Sequence, residues 1–253
     1  MNTIVLDPGH GGNGALTTYG SVGNGLVEKE VNLLLARYCR TKLSEYECRV
    51  VMTRDSDIDI SFTARANVAR HNNADLFVSF HLNGFHDVTA NGFESFIYSG
   101  TLSQNTINYQ HAIHNKIYSV LERAGVRDRG KKRANLAMVR LPPCSCVLPE
   151  YGFITNVNDA KAIKSPGMIK LLGEYTALGI AEALKLPLLN PAGKPDYGIP
   201  EVQRTVGVML NGQQTNEVGY LIGNATYVRA AFVMGLTGAT VTGAGDHIKV
   251  VTK

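Results

Sequence analysis

At 253 residues the chain has room for one large domain, or for one ordinary domain and a small module. Hydrophobic residues make up 44% and charged residues 18%, which excludes a wholly disordered chain. The formal charge of +4 is compatible with a polyanionic surface as partner, and with no dense basic run outside residues 127–133 it does not point to nucleic acid. No apolar run approaches the ~20 residues of a membrane span. The opening MNTIVLDPGHGG lacks the basic and long apolar stretches of a signal peptide, so work outside the cytoplasm would need another route out. Cys39, Cys48, Cys144 and Cys146 form no CxxC pair and are expected to be reduced thiols.

In chain order, TIVL at 3–6 predicts a buried strand that ends in a tight loop, DPGHGG, and the glycine-rich stretch to Gly25 continues that loop. From Glu28 the spacing of Val31, Leu34, Leu35 and Tyr38 predicts a helix. ECRVVMT at 47–53 predicts a second strand, 62–70 a helix, and LFVSF at 76–80 a third strand followed at once by His81. FESFIY at 93–98 predicts a fourth strand and 105–124 a helix carried by Ile113, Ile117 and Leu121. A short strand at 145–149 ends on Glu150, and a helix at 166–184 has proline near its start. Strands alternating with helices predict an α/β fold with a mostly parallel twisted sheet flanked by helices. In such sheets chemistry collects at the carboxyl ends of the strands, where His10, His81 and Glu150 all fall.

The composition changes at Leu186. Residues 186–200 are proline-rich and read as a linker, which bounds a domain at 1–185. Residues 201–253 read as a small α+β module, with strands in VGVMLNG, VGYLIGNATYV and HIKVVT and a helix in RAAFVMGL.

A zinc hydrolase needs three protein ligands and an open position for water, and two histidines with a carboxylate form one known set. His10 and His81 are candidate ligands, with Glu28 as the best acid and Glu30 competing with it; a carboxylate at the start of a helix also suits the helix dipole without any ligand role. Glu150 is a candidate proton donor and acceptor, or a surface acid. His111 and His114, three apart on a helix, are expected to share a partly exposed face, and His71, His86 and His247 to sit in loops. Arg54, Arg65 and Arg133 could bind a substrate carboxylate or serve in ion pairs. Asp7 and Asn83 are candidates for fixing the histidine tautomers.

LDPGHGG, GLVEKEVN, ADLFVSFHLN and VLPEYGFITNVNDA, in that order, resemble the motifs of the zinc-dependent N-acetylmuramoyl-L-alanine amidases of the Amidase_3 type, over residues 2–184; MTRDSD with Arg54, and then Arg65, match the run between them. The resemblance implies a Zn2+ ion held by His10, Glu28 and His81, with Glu150 as catalytic acid and base. It favours Glu28 over Glu30 because Lys29 follows it. It also implies peptidoglycan as substrate, cleaved between N-acetylmuramic acid and L-alanine. Pro149 and Tyr151 depart from the family pattern and are expected to tune the pocket. A start without a leader and a short C-terminal module look like a phage endolysin, made in the host cytoplasm and acting on the wall after release. The module is then expected to bind a wall polymer. Another zinc-dependent wall hydrolase, a peptidase or deacetylase, and a non-catalytic wall-binding module are the competing readings.

Overall fold

The structure is a computed structural model that describes residues 1–16 and 18–189 in full and, beyond them, the backbone of the strands between 202 and 251. The chain divides into two units, Met1–Leu189 and Asn190–Lys253. The division falls four residues beyond the boundary expected at 185.

In the first unit the elements run β1 (Asn2–Pro8), β2 (Val22–Gly23), β3 (Leu26–Val27), α1 (Glu28–Leu43), β4 (Cys48–Met52), α2 (Phe62–His71), β5 (Leu76–Asn83) and β6 (Phe93–Tyr98). There follow α3 (Gln104–Leu121), β7 (Asp128–Ala134), α4 (Ala137–Arg140), β8 (Ser145–Phe153), α5 (Val157–Ile163) and α6 (Pro166–Leu184). Six strands form one sheet in the order β4-β1-β5-β8-β6-β7. The first four run parallel; β6 pairs antiparallel with β8, and β7 follows β6 in parallel. The α/β class and the mostly parallel sheet are as the sequence predicts.

The central strands read as unbroken apolar runs because both faces are covered. Their side chains alternate between two cores. Ile4, Leu6, Leu76, Val78, Phe80, Val147 and Tyr151 join the larger core, which includes residues of α1, α3 and α6. Val5, Phe77, Cys146 and Leu148 join a smaller one with Ala69 of α2 and Met138 and Val139 of α4. Ser61, Ser103, Asn156 and Ser165 cap α2, α3, α5 and α6 by accepting backbone N–H bonds, and Pro166 opens α6 as expected. The four cysteines are free thiols.

Two strands run past their predicted ends, so His81 and Glu150 lie within β5 and β8 and face each other in register. Strand β7, DRGKKRA, has no apolar alternation and was not predicted. His114 corrects the expectation of a partly exposed face: it is buried, bonded through Nδ1 to Ser95 Oγ at 2.8 Å and through Nε2 to Asp128 Oδ1 at 3.1 Å, while His111 is exposed. The face of α3 next to Ile113 and Ile117 packs under the β6–β7 edge, where a polar residue is tolerated because both ring nitrogens find partners.

The second unit forms a five-stranded sheet of β9 (Val202–Leu210), β10 (Gln213–Ile222), β11 (Ala225–Tyr227), β12 (Thr240–Ala244) and β13 (His247–Val251). Its order is β11-β10-β9-β13-β12, with only β13 and β9 parallel. His247 begins a strand and is not in a loop. The helix expected in RAAFVMGL lies outside the described residues. No helix among the described residues is long and apolar enough to cross a membrane.

Candidate active site

His10, Glu28 and His81 converge at the carboxyl rim of the sheet from three different elements. β1 ends at Pro8 and delivers His10 two residues later. Glu28 is the first residue of α1, and His81 projects from β5. One ligand-capable atom from each lies within 4.8 Å of the others, and this is the cluster of that kind among the described residues. Glu28 Oε1 is 3.1 Å from His10 Nε2 and 3.1 Å from His81 Nδ1. The two imidazoles meet edge to face, with centroids 5.0 Å apart.

The backbone holds Glu28 in place. Ser21 N–H donates to Oε2 at 2.8 Å, Leu82 N–H donates to Oε1 at 3.2 Å, and Glu28 N–H donates to Ser21 O. Burial raises the Glu28 pKa, but hydrogen bonds from His10 and His81 outweigh it and hold the carboxyl far below the usual carboxylate range. Thr18 O accepts from His10 Nδ1 at 2.8 Å, so Nδ1 carries a proton and Nε2 is the ring nitrogen that faces Glu28. Asp7 and Asn83, the sequence candidates for tautomer control, do something else. Asp7 is spent on Arg65, Ser79 and Thr53, and Asn83 donates to Glu94. Thr18, in a loop without pattern, left no sequence signal.

These three side chains open into a pocket of about 380 Å³, lined also by Tyr19, Gly20, Asn83, Gly84 and Glu150. Glu150 Oε2 is buried and has no hydrogen-bond partner among the described residues. Burial, reinforced by the negative charges of Glu28 and Glu94, pushes the Glu150 pKa well above the usual value. A buried carboxyl oxygen without a partner costs stability, and such exceptions are retained where a group does chemistry or meets a ligand. Pro149 and Tyr151 do not line the pocket, contrary to expectation. Tyr151 points into the core, stacks 6.3 Å from Phe80 and bonds Thr176 Oγ1 at 2.7 Å.

The arginines also differ from expectation. Arg54 and Arg65 are buried beneath the rim and are not available to a substrate carboxylate. Arg133 is exposed on β7. Lys29, which the sequence marked only as the residue after Glu28, donates to Gly12 O at 2.8 Å and Asp57 Oδ2 at 2.7 Å and lies 4.5 Å from the Tyr19 ring. Glu30 is exposed and away from the cluster.

Two imidazoles and a carboxylate, half-shielded from water and with one histidine tautomer fixed by its other nitrogen, are a donor set that suits a divalent cation of zinc's character. The family model described as N-acetylmuramoyl-L-alanine amidase matches residues 4–182. The chain is 38% identical over 188 residues to the N-acetylmuramoyl-L-alanine amidase CwlM of Bacillus licheniformis, which covers 74% of this chain and 70% of that protein. It is 37% identical over 198 residues to the endolysin of Bacillus phage SPP1, covering 77% and 71%. Among solved structures, an N-acetylmuramoyl-L-alanine amidase from Clostridium difficile 630 superposes with a TM-score of 0.66 at 30% identity, covering 73% of this chain and 97% of that one. The catalytic domain of CwlV from Bacillus (Paenibacillus) polymyxa var. colistinus gives 0.66 at 26% identity, covering 74% and 99%.

Proposed function

The chain belongs to the Amidase_3 family of N-acetylmuramoyl-L-alanine amidases, and we propose that His10, Glu28 and His81 hold one zinc ion while Glu150 moves the protons of the reaction. It is a peptidoglycan amidase, and the bond it hydrolyses joins the lactyl group of N-acetylmuramic acid to the L-alanine of the stem peptide. The observation that carries the proposed site is the convergence of three ligand-capable atoms within 4.8 Å, beside a buried carboxyl oxygen without a partner.

When bound, zinc would supply Lewis acidity, drawing the pKa of water down toward ~7 and polarising a carbonyl. The rest falls to the chain. His10 and His81 bind as neutral imidazoles, and the Thr18 carbonyl keeps the His10 proton on Nδ1. Glu150 takes a proton from water as its oxygen attacks the amide carbon. It then gives a proton to the alanine nitrogen as the C–N bond breaks, releasing a free amine and a lactyl carboxylate. A carboxyl raised above its usual pKa is a stronger base than an ordinary carboxylate and keeps the proton it has taken until the leaving nitrogen receives it. The pocket that would admit the amide is lined by Tyr19, His81 and Asn83 beside Glu150.

The second unit, residues 201–253 by sequence, is proposed to bind a wall polymer, since all four site residues belong to the first unit. The endolysin of phage SPP1 as a relative supports action on a bacterial wall.

Digestion of purified peptidoglycan tests the reading. New amino termini on L-alanine, detected by mass spectrometry, are expected; loss of acetyl groups instead would identify a deacetylase. Glu150→Gln should keep its zinc by atomic absorption and lose ~10²–10⁴-fold in rate. His81→Ala should lose the zinc. Full zinc content in His81→Ala, or wild-type turnover in Glu150→Gln, would overturn the assignment.

A further inference from the structure

Arg54 and Arg65 lie directly beneath the turn that carries His10, 2% and 1% exposed. Each donates four hydrogen bonds. Arg54 donates from Nε to Pro8 O (2.9 Å), from Nη1 to Ser56 O (3.0 Å), and from Nη2 to both Gly9 O (3.0 Å) and Lys29 O (2.8 Å). Arg65 donates from Nη1 to Asp7 Oδ1 (2.7 Å) and Pro8 O (2.7 Å), from Nη2 to His10 O (2.8 Å), and from Nε to Ile60 O (3.1 Å).

The carbonyls of three consecutive residues, Pro8, Gly9 and His10, therefore face the two guanidiniums. The turn that aims them this way is strained. His10 has a φ of 60°, a left-handed conformation that a side chain with a Cβ disfavours. Such conformations persist only where their surroundings over-determine them. A single nitrogen, Arg54 Nη2, also ties Gly9 O to Lys29 O, the residue after Glu28. The His10 turn and the start of α1 are thus fastened at one atom.

Ion pairing does not account for this arrangement. Arg65 pairs with the buried carboxylate of Asp7, whereas the four bonds of Arg54 all go to backbone carbonyls, and burial together with the charge of Arg65 draws the Arg54 pKa down to about 10. The carbonyl lone pairs account for it, because they need a rigid fork of donors that a lysine ammonium does not offer.

We propose that Arg54 and Arg65 are positioning residues of the metal site, setting the separation of the His10 and Glu28 donor atoms and so the affinity for zinc. This rests on the reading of His10, Glu28 and His81 as the ligands. The arginines touch neither the ion nor the substrate.

The test uses the full-length chain with Arg54→Lys, which keeps the charge and removes the fork. Zinc affinity is measured by competition with a chromophoric chelator, and the melting temperature of the zinc-free protein is measured in EDTA. Ile117→Ala, a core variant on α3, reports what lost stability alone does to affinity. Arg54→Lys is expected to bind zinc 10–100-fold more weakly, while Ile117→Ala melts earlier and binds zinc as the wild type does. Arg65→Lys is read the same way. Wild-type affinity in Arg54→Lys and Arg65→Lys, or a loss in Ile117→Ala that tracks its melting temperature as theirs does, overturns the proposal. So does failure of both lysine variants to fold, which would make the arginines a requirement of the fold. A wild-type chain that binds no zinc overturns the ligand reading with it; a wild type that binds zinc beside lysine variants that bind it equally overturns only the positioning role.

Discussion

Gly9 stands between the end of β1 and His10, and a methyl group there would collide with the imidazole of His81. A Cβ built on Gly9 lies 2.2 Å from His81 Cε1, 2.4 Å from Nε2 and 2.7 Å from Nδ1. Carbon atoms rest at about 3.5–4.0 Å, so Gly9→Ala must drive the ring back by about 1.3 Å or more. The φ of Gly9 is open to alanine, and the obstacle is a side chain that can rotate. The fold should therefore give way at the ring and keep its backbone. A functional constellation tolerates about 0.5 Å of error, and a 1 Å misplacement costs about 100-fold in rate. Gly9→Ala is expected to lose at least about 100-fold in release of amino groups from purified peptidoglycan and to bind zinc more weakly. Its melting temperature should fall by only ~4 °C or less, the equivalent of about 1 kcal/mol in a body of this size. Wild-type rate and zinc content in Gly9→Ala would refute the packing of Gly9 on His81 or the role of His81. Collapse of the fold would refute the claim that the ring yields first.

Asp7→Asn leaves the buried Arg65 without its counter-ion and turns an amide N–H₂ toward donors, so chemical denaturation should show a loss of about 3 kcal/mol or more; under 1 kcal/mol would contradict the pairing. Acid sensitivity should begin with His114. Burial pushes its pKa down to about 4, so the unfolded chain takes up that proton first, and stability falls as pH drops from about 6.5 towards 4. A urea series should show this slope weakened in His114→Gln, and an identical slope would remove the assignment. Burial raises the Asp7 pKa, but Arg65, Ser79 and Thr53 outweigh it and hold it below the ordinary value. Its contribution is therefore intact above about pH 4 and disappears only as pH falls through that lowered value. A chain ending at Leu189 is expected to cleave soluble muropeptides at the full-length rate and to be retained less by purified walls; equal retention would end the wall-binding role of the second unit.

The elements that hold the site were legible because each carries its own local signal. TIVL and LFVSF are short apolar runs, rich in β-branched and aromatic residues, that read as buried strands, with a histidine four residues after the first and directly after the second. The start of α1 follows from its period, which puts Glu28 at the rim. The family motifs then chose Glu28 over Glu30, a choice that spacing left open. What was illegible depends on partners far away in the chain. Strand β7 lacks an apolar face because Arg129 and Lys132 are neutralised by the buried carboxylate of Glu94, which lies 35 or more residues earlier. An arginine fork aimed at backbone carbonyls has no sequence signature that separates it from one aimed at a substrate, so the buried work of Arg54 and Arg65 appeared only in three dimensions. The same holds for His114, whose two polar partners lie on β6 and β7.

The order in which the sheet is threaded governs when the candidate site can be assembled. The strands bearing the site stand side by side as β1-β5-β8, yet the chain writes β8 last, with Glu150 about 140 residues after His10. β8 joins β5 across about 70 residues of chain, a pairing that requires a long loop to close. A nascent chain emerging from the ribosome therefore carries its imidazoles long before it can use them, and a ligand that recognises only the finished arrangement strengthens the end product without seeding it. A candidate site built this way is assembled only when synthesis of the first unit is nearly complete.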